Sequence, residues 1–256
     1  MTELLTIDPA KQTTKIVNFI KTTFRQQGFK QGIIAISGGL DSATSLILAT
    51  RALGSANILA LQLPYAKQSL TDSSLILKAA DIPQANRLIF KLKPSVDSLA
   101  KSLQASQVKL RLGNIIARTR MIHLFDQAKK HRALVIGTEN KSENLLGYFT
   151  RYGDAASDIE PLSHLYKTQV YQLASYLGIP QSILGKAPSA GLWPQQTDQQ
   201  ELGFSYQQAD PILHLLVDKQ MTSSQVINQG FPQALVKRVA KRLSALDFKH
   251  HLPYHI

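Results

Sequence analysis

Short apolar runs alternate with longer segments of helical periodicity over the first half of the chain, and this alternation limits the possible folds more than any other feature. Four runs are short, continuous and mainly aliphatic, which is typical of buried strands: "GIIAI" (32–36), "ILALQLP" (58–64), "RLIFKL" (87–92) and "ALVIGT" (133–138). Helices are predicted around and between them at 9–28, 41–53, 72–80, 94–105 and 108–130. This order predicts an α/β fold in which a mostly parallel, doubly wound sheet carries helices on both faces.

The second half of the chain is less regular. Further helices are predicted at 168–177, 206–217 and 233–245. The segment "GKAPSAGLWPQQTDQQELG" (185–203) is rich in proline, glycine and glutamine, which indicates a mobile loop. No repeat, low-complexity segment or break in composition divides the sequence, so we predict one domain over residues 1–256.

Composition narrows the functional classes. The chain of 256 residues has no cysteine, which excludes disulfides, thiolate metal sites and cysteine nucleophiles. No segment is apolar for ~18 residues, so no membrane span is predicted. The first residues lack the basic and apolar regions of a signal peptide. We therefore expect a cytoplasmic protein.

The formal net charge of +12 has two interpretations. Lysine and arginine neutralise phosphates in nucleic-acid binding proteins, but a basic protein also attracts small anionic substrates. The densest basic stretch is "VKRVAKRLSALDFKHH" (236–251), in which Lys237, Arg238, Lys241 and Arg242 fall at i,i+4 helical spacing. We favour a solvated helix face for this stretch and expect no nucleic-acid partner.

The hexapeptide "SGGLDS" (37–42) follows the first predicted strand and precedes a helix. Ligands of parallel sheets bind outside the carboxyl ends of the strands. Glycines there let the backbone approach a ligand, and the amides of the turn and helix N-terminus favour phosphate. The hydroxyls of Ser37 and Ser42 add donors. The stretch has neither the Gly-Lys-Ser/Thr of a Walker A loop nor a GxGxxG pattern.

Asp41 lies within this turn, where an aspartate would repel phosphate unless a cation separates them. It is therefore a candidate Mg²⁺ ligand, because Mg²⁺ binds one or two carboxylates together with phosphate oxygens. The alternative is an ordinary turn in which Asp41 caps the helix. The hexapeptide resembles the pyrophosphate-binding loop of the ATP pyrophosphatases, which split ATP into AMP and pyrophosphate while adenylating a substrate. The loop alone does not choose among NAD, GMP and asparagine synthetases and tRNA-modifying enzymes.

Two further segments carry polar residues at informative positions. In "LGNIIARTRM" (112–121), Arg118 and Arg120 face different sides of a helix, so one can reach a ligand while the other makes a structural pair. The alternative for each arginine is a surface ion pair. The segment "VIGTENKSENLLGYFTRYGDAASDIEPL" (135–162) follows the fourth strand and contains Thr138, Glu143, Arg151, Asp154 and Asp158. Glu143 could share a metal with Asp41.

Together these segments resemble the ammonia-dependent NAD synthetases. The family's motifs appear here as "GNIIARTRM", "GTENKSE" and "RYGD", and the likeness continues through "PLSHLYKTQV", "APSAGLWPQQTDQQELGFSY" and a C-terminal Lys-x-x-Leu-Pro. The resemblance covers nearly the whole chain. It implies a Rossmann-like fold of the adenine nucleotide α hydrolase type with extra C-terminal helices, and a synthetase domain without a glutaminase domain.

The resemblance also implies roles for particular residues. The ATP phosphates would be held by Ala35, Ile36, Ser37, Gly38, Gly39, Leu40, Asp41 and Ser42, and Thr138, Lys167 and Ser189 would also contact ATP. Asp41 and Glu143 would bind Mg²⁺. The substrate, nicotinic acid adenine dinucleotide (deamido-NAD), would contact Arg118, Arg151, Asp158 and Lys249. Asp154 would lie near the incoming ammonia and act in catalysis with Asp41 and Lys167.

The chain departs from the family pattern at three places. Arg151 stands where lysine is common, and the two side chains differ in geometry. Phe248-Lys249-His250 stands where many relatives have His-Lys-Arg, so only Lys249 keeps the family's role. The 185–203 segment is like that of archaeal and glutamine-dependent relatives, although a glutaminase domain would need many more residues and a catalytic cysteine.

The implied reaction has two steps. The nicotinate carboxylate attacks the α-phosphorus of ATP and releases pyrophosphate, and ammonia then attacks the activated carbonyl and releases NAD and AMP. The family implies a homodimer with substrate sites at the subunit interface, while the supply of ammonia by a separate glutaminase stays open. The alternative functions are a lysidine-type tRNA-modifying ATP pyrophosphatase and a catalytically silent nucleotide- or RNA-binding protein.

Overall fold

A four-stranded parallel sheet forms the centre of the protein. The structure is a computed structural model that describes residues 2–66, 68–193, 195–251 and 253–254. The strands are β1 (Gln31–Ala35), β2 (Ile58–Gln62), β3 (Arg87–Ile89) and β4 (Ala133–Val135), in the order β3-β2-β1-β4. Every neighbouring pair is parallel. The strand order reverses between β1 and β4, so the topological switch point, where such sheets bind ligands, lies there.

Helices connect the strands and continue beyond the sheet. The first five are α1 (Pro9–Gln27), α2 (Leu40–Leu53), α3 (Thr71–Ala79), α4 (Lys93–Ser102) and α5 (Lys109–His131). After β4 come α6 (Lys141–Leu145), α7 (Lys167–Tyr176), α8 (Gln181–Leu184), α9 (Asp198–Leu202), α10 (Tyr206–Leu213), α11 (Ser223–Asn228) and α12 (Gln233–Ala245). None of the helices among the described residues has the length and apolar character needed to cross a membrane.

Both faces of the sheet are covered, as the alternation of strands and helices predicts. Ile33 and Ile34 are neighbours in β1 and are fully buried on opposite faces, because successive strand residues point to opposite sides. Ile34 belongs to an apolar cluster with α1, α2 and α7, whereas Ile33 packs with Val96 of α4 and Ile116 of α5. The doubly wound arrangement is thereby confirmed.

The C-terminal helices form an apolar cluster of their own. Ile212 of α10, Val226 of α11 and Val236 of α12 are fully buried and pack with Leu146 and Tyr166 beside the loops that follow β4. The extra C-terminal helices are thereby confirmed. This cluster places the starts of α7 and α10 next to the switch point.

The predicted strands and long helices are all present, but some bounds differ, and the short helices α6, α8 and α11 were not predicted. The strands predicted at 58–64, 87–92 and 133–138 end at Gln62, Ile89 and Val135. The last part of the helix predicted at 206–217 is π-helical over His214–Asp218. The segment 185–203, predicted to be a loop, contains α9, which has only five residues and is too short to show a helical period. Pro194 of that segment and Leu252 of the C-terminal Lys-x-x-Leu-Pro motif lie outside the described residues.

Candidate active site

The turn between β1 and α2 has the shape of a phosphate-binding loop. Gly38 has φ +82°, and a Cβ there would lie 2.9 Å from Asp72 Cβ, so only glycine fits. Ser37 Oγ accepts a hydrogen bond from Gly39 N at 3.1 Å, and Ser42 Oγ donates to Gly39 O at 3.0 Å. Gly39 is the N-cap of α2 and provides no side-chain cap, so the first amides of the helix keep their donors for a ligand.

Asp41 does not cap α2, which contradicts the ordinary-turn alternative. It lies in the first turn of the helix, and its carboxylate turns to residues that are distant in sequence. Asn140 Nδ2 donates to Asp41 Oδ1 at 3.2 Å, and Lys167 Nζ bonds to Asp41 Oδ2. Lys167 Nζ also donates to Glu143 Oε1 at 3.1 Å. Asp41, Glu143 and Lys167 therefore meet at one point, which we call the charged centre.

Short helical caps place the residues of the charged centre. Asn140 begins α6 with a capping box, in which Glu143 N donates to Asn140 Oδ1 at 3.0 Å and Asn140 N donates to Glu143 Oε2 at 3.4 Å. The same Asn140 therefore orients Glu143 and Asp41. Lys167 is the first residue of α7, so its side chain starts at a fixed helix end.

A buried bracket, formed by Ser142 and Asp210, holds the start of α7. Lys167 N donates to Ser142 Oγ at 2.8 Å, Ser142 Oγ donates to Asp210 Oδ1 at 2.6 Å, and Thr168 N donates to Asp210 Oδ2 at 2.9 Å. Asp210 is fully buried, and burial raises the pKa of its carboxyl group. The sequence prediction missed this bracket, because a single aspartate inside helix α10 carries no motif.

The charged centre is nearly closed to solvent. The Lys167 side chain is 4% exposed, and the side chains of Asp41 and Glu143 are 17% and 16% exposed. Burial acts to lower the pKa of Lys167, but the carboxylates of Asp41 and Glu143 outweigh it and raise that pKa above its ordinary value. Lys167 therefore remains an ammonium group that balances part of the negative charge.

The two carboxylates of the charged centre fit a small cation. They converge on one ammonium group, so the space between them already accepts positive charge. Within the described parts of the chain, no set of three or more His, Cys, Asp or Glu side chains is arranged to hold a metal ion. Two carboxylates suit Mg²⁺, which takes its remaining ligands from phosphate oxygens and water.

A second acidic group lies in the loops after β4. Glu139 N donates to Glu160 Oε2 at 3.0 Å, and Ser157 Oγ donates to Glu160 Oε1 at 2.7 Å. A Cβ at Gly137 would lie 1.9 Å from Glu160 Oε1, so glycine makes room for this carboxylate. Burial raises the pKa of Glu139 to about 8 and that of Glu160 to about 7. The "GTEN" motif contains Glu139, but its role was not predicted.

Arg118 and Arg120 point to different sides of α5, as the sequence predicts. Arg118 is exposed on α5, and its Nε donates to Arg151 O at 3.2 Å. Arg120 Nη2 donates to Gln68 Oε1 at 3.0 Å and its Nε donates to Leu63 O at 3.3 Å, so it ties the loop after β2 to α5.

Asp154 and Asp158 each bind backbone amides in the loops after β4. Asp154 Oδ1 accepts from Thr150 N at 2.9 Å and closes the "RYGD" turn. Asp158 Oδ2 accepts from Val135 N at 2.7 Å at the end of β4. Both residues remain exposed at this edge of the sheet. Their roles toward ammonia and substrate stay predictions.

The C-terminal segment folds back onto the turn that contains Arg151. Lys249 Nζ donates to Gly147 O and to Phe149 O, both at 2.6 Å. The Arg151 guanidinium carbon lies 5.5 Å from the centre of the Phe248 ring, within the range of a cation–π contact. Two residues that depart from the family pattern, Arg151 and Phe248, therefore contact each other.

Thr138 and Ser189 are less closely joined to the charged centre. Thr138 is half-buried in the loop after β4. Ser189 is exposed, and its Oγ accepts from Gly191 N at 3.1 Å. The segment around Ser189 packs on α5, because a Cβ at Gly113 would lie 3.2 Å from Trp193 Cζ3. The ATP contacts of Thr138 and Ser189 stay predictions.

The fold and the site together define an α/β nucleotide-binding enzyme, with a phosphate loop and a buried lysine–carboxylate centre at the switch point of a parallel sheet. A family profile described as NAD synthase matches residues 12–253. The chain therefore belongs to the NAD synthase family, which confirms the resemblance seen in the sequence.

Individual relatives agree with this assignment. The chain is 43% identical over 246 residues to the NH(3)-dependent NAD(+) synthetase of Pyrococcus furiosus, covering 95% of this chain and 93% of the relative. Among solved structures, an NH3-dependent NAD synthetase from Campylobacter jejuni has a TM-score of 0.82 at 29% identity, over 98% of this chain and 100% of that one. An NMN synthetase from Francisella tularensis has a TM-score of 0.83 at 31% identity, over 98% of this chain and 99% of that one.

Proposed function

We propose that this chain catalyses the ATP-dependent amidation of deamido-NAD with ammonia and releases NAD, AMP and pyrophosphate. The observation that carries this proposal is the charged centre of Asp41, Glu143 and Lys167 beside the phosphate loop, in a chain of the NAD synthase family. A bare carboxylate is a poor electrophile, so amide formation needs activation. Attack of the nicotinate carboxylate on the α-phosphorus of ATP supplies that activation by forming an adenylate.

The phosphate loop holds the triphosphate in this proposal. The backbone from Ala35 to Ser42 surrounds the N-terminus of α2, and Thr138 and Ser189 contact the rest of ATP. Asp41 and Glu143 hold Mg²⁺, which neutralises phosphate charge when it is bound. The uncapped amides of α2 and the convergence of the two carboxylates on one cation support this arrangement.

Lys167 stabilises the negative charge that develops on the phosphates. A buried, preorganised donor of this kind is typically worth ~10²–10³ in rate. The raised pKa of Lys167 supports the role, because the carboxylates of Asp41 and Glu143 stabilise its ammonium form despite burial.

The second substrate occupies the surface beside the charged centre. Arg118, Arg151, Asp158 and Lys249 bind deamido-NAD, and Asp154 accepts a proton from the attacking nitrogen. The hydrogen bond from Arg118 to the backbone of Arg151 supports a common site for these two cations. Lys249 is already bound to two carbonyl oxygens, so its main contribution is to hold the Arg151 turn in place.

We further propose a homodimer with the substrate site at its interface. Leu110 is 65% exposed and Ile122 is 55% exposed, and both lie on the same face of α5 as Arg118. Apolar side chains on such a face favour a partner surface. A second subunit there would cover the region around Arg118. We place the enzyme in the cytoplasm, as its composition suggests.

A mononucleotide substrate is the second candidate. The likeness to the NMN synthetase of Francisella tularensis, at 31% identity, favours testing nicotinic acid mononucleotide beside deamido-NAD. Both reactions amidate a nicotinate carboxylate, so the same charged centre would serve. The tRNA-modifying alternative is not favoured, because the NAD synthase profile matches residues 12–253.

Product analysis by mass spectrometry tests the proposal. The purified protein is incubated with ATP, Mg²⁺ and ammonium, with deamido-NAD in one reaction and nicotinic acid mononucleotide in another. We expect NAD and AMP from deamido-NAD, and only a trace of product from glutamine in place of ammonium. Faster amidation of the mononucleotide would move the assignment to that substrate, and intact ATP in every reaction would contradict the proposal.

A further inference from the structure

A third carboxylate lies close to the charged centre and has no assigned role. Asp198, the first residue of α9, is 3% exposed. Its Oδ2 accepts a hydrogen bond from the Tyr206 hydroxyl at 3.0 Å. Its Oδ1 is also buried and faces the hydroxyl group of Tyr148. Two tyrosine hydroxyls therefore surround the Asp198 carboxylate, as expected for a buried polar group.

Tyr206 joins Asp198 to Lys167. The Lys167 Nζ lies 5.4 Å from the centre of the Tyr206 ring, which is within the range of a cation–π contact. The ring itself is only 4% exposed. The Tyr206 side chain therefore touches the ammonium group through its ring and Asp198 through its hydroxyl. We call Tyr206 and Asp198 the lysine seat.

The charge balance explains why such a seat is needed. In the structure, Lys167 is paired with Asp41 and Glu143, the two carboxylates that would bind Mg²⁺. A divalent ion and an ammonium group repel each other strongly in a buried site. When the metal arrives with ATP, Lys167 must give up part of its contact with these carboxylates. It then needs another group of negative potential that keeps its Nζ close to the phosphates.

We propose that Asp198 is a positioning residue that, through Tyr206, holds Lys167 in place when Mg²⁺ and ATP take over Asp41 and Glu143. This inference rests on the proposed function. Tyr206 offers the face of its ring to the ammonium group, and Asp198 fixes the hydroxyl of the ring and adds a negative charge nearby. Asp198 does not touch ATP, and its effect passes entirely through Lys167.

The position of Asp198 also connects the lysine seat to the segment 185–203. Asp198 N donates to Pro188 O at 3.0 Å, which joins the start of α9 to the residue next to Ser189. The same segment packs on α5 through Leu192 and Trp193. A segment predicted to contact ATP through Ser189 is thus tied to the group that positions Lys167.

Metal binding in the presence of nucleotide tests the lysine seat without relying on turnover. Mn²⁺ replaces Mg²⁺, a non-hydrolysable ATP analogue replaces ATP, and bound Mn²⁺ is measured by electron paramagnetic resonance. We expect Asp198→Asn to weaken nucleotide-dependent Mn²⁺ binding about tenfold. Without the Asp198 charge, the Lys167 ammonium group stays paired with Asp41 and Glu143 and competes with the metal ion for these carboxylates. In a Lys167→Gln background, the same substitution should change binding less than about twofold.

Two further variants sharpen the test. Asp126→Asn makes the same chemical change in the last two turns of α5, where Asp126 is exposed and accepts a hydrogen bond from Gln127, so binding should stay at the wild-type value. Tyr206→Phe keeps the ring and removes the hydroxyl that bonds Asp198. It should show a smaller loss that again disappears in the Lys167→Gln background, and it replaces Asp198→Asn if that variant does not fold.

Two results would overturn the inference while leaving the proposed function intact. One is wild-type Mn²⁺ binding in Asp198→Asn and in Tyr206→Phe. The other is an equal loss in the Lys167→Gln background, which would mean that Asp198 acts on the metal directly or only supports the fold. Failure of the wild-type protein to bind Mn²⁺ with nucleotide would instead refute the metal–nucleotide site, and the inference with it.

Discussion

Asp210→Asn is the perturbation that tests most severely how the fold supports the charged centre. The carboxylate of Asp210 is fully buried and accepts two hydrogen bonds, from Ser142 Oγ at 2.6 Å and from Thr168 N at 2.9 Å. An asparagine has the same shape, but its NH₂ group replaces one of the two carboxylate oxygens. This NH₂ group then faces either Ser142 Oγ or Thr168 N, both of which donate in the wild type. The variant therefore loses one hydrogen bond to a charged acceptor and leaves a buried donor unpaired.

The loss in the free energy of unfolding can be estimated from these contacts. A hydrogen bond to a charged group contributes ~1.5–3 kcal/mol, and an unpaired buried donor costs ~1–3 kcal/mol. Part of this loss is offset because a buried charge disappears. We expect a net loss of about 2–4 kcal/mol in the free energy of unfolding, which lowers the Tm by roughly 5–15 °C for a chain of this size.

Urea unfolding followed by circular dichroism measures this loss, and ATP binding is measured on the folded variant. Asp8→Asn is the matched control, because Asp8 is an exposed N-cap where asparagine caps equally well. A free energy of unfolding of Asp210→Asn within about 0.5 kcal/mol of the wild type, the usual range of surface substitutions, would show that Asp210 does not stabilise the start of α7. ATP affinity should fall with stability, because Asp210 holds the backbone at Lys167.

Three further predictions concern single side chains. Asp41→Asn should slow pyrophosphate release ~10²–10³-fold in the folded variant, measured with a coupled pyrophosphate assay, and wild-type release would contradict the metal role. The pKa of Glu139 is raised from its ordinary 4.5 to about 8, so the folded protein binds more protons than the unfolded chain between these values and stability falls as pH rises through them. Glu139→Gln should therefore raise the free energy of unfolding by ~1–2 kcal/mol at pH 8.5 and leave it unchanged at pH 4.5, and an equal effect at both pH values would refute this linkage. Phe248→Ala should raise the KM for deamido-NAD ~3-fold and leave the KM for ATP unchanged, while Phe248→Tyr keeps the ring and the wild-type KM. Equal KM values in Phe248→Ala and the wild type would show that the ring does not support Arg151.

Much of the fold could be predicted because its signals are local. A short, β-branched apolar run such as "GIIAI" is typical of a strand buried on both sides, and Gly38 and Gly39 mark the turn that follows. The pairing of Asp41 with Glu143 could also be predicted, because both follow strands whose carboxyl ends meet at one edge of the sheet. The structure places both carboxylates on Lys167.

The support of the charged centre could not be predicted, because its signals are not local. Asp210 lies 68 residues from Ser142 in sequence, and no motif in α10 marks it. The lysine seat depends on the close approach of α7, α9 and α10, and α9 is too short to reveal a helical period. Such contacts join residues that are far apart in sequence. They depend on the tertiary fold, and no periodicity of 2 or 3.6 residues predicts them.

Transfer of oxygen from the nicotinate carboxylate to AMP is the direct test of activation by adenylation. Deamido-NAD labelled with ¹⁸O in the carboxyl group is converted with ATP, Mg²⁺ and ammonium, and AMP is analysed by mass spectrometry. One carboxyl oxygen forms the bond to the α-phosphorus and stays there when ammonia displaces AMP, so we predict one ¹⁸O atom in each AMP molecule. Unlabelled AMP formed together with NAD, or ¹⁸O in inorganic phosphate with ADP as the second product, would show that the carboxylate is not adenylated.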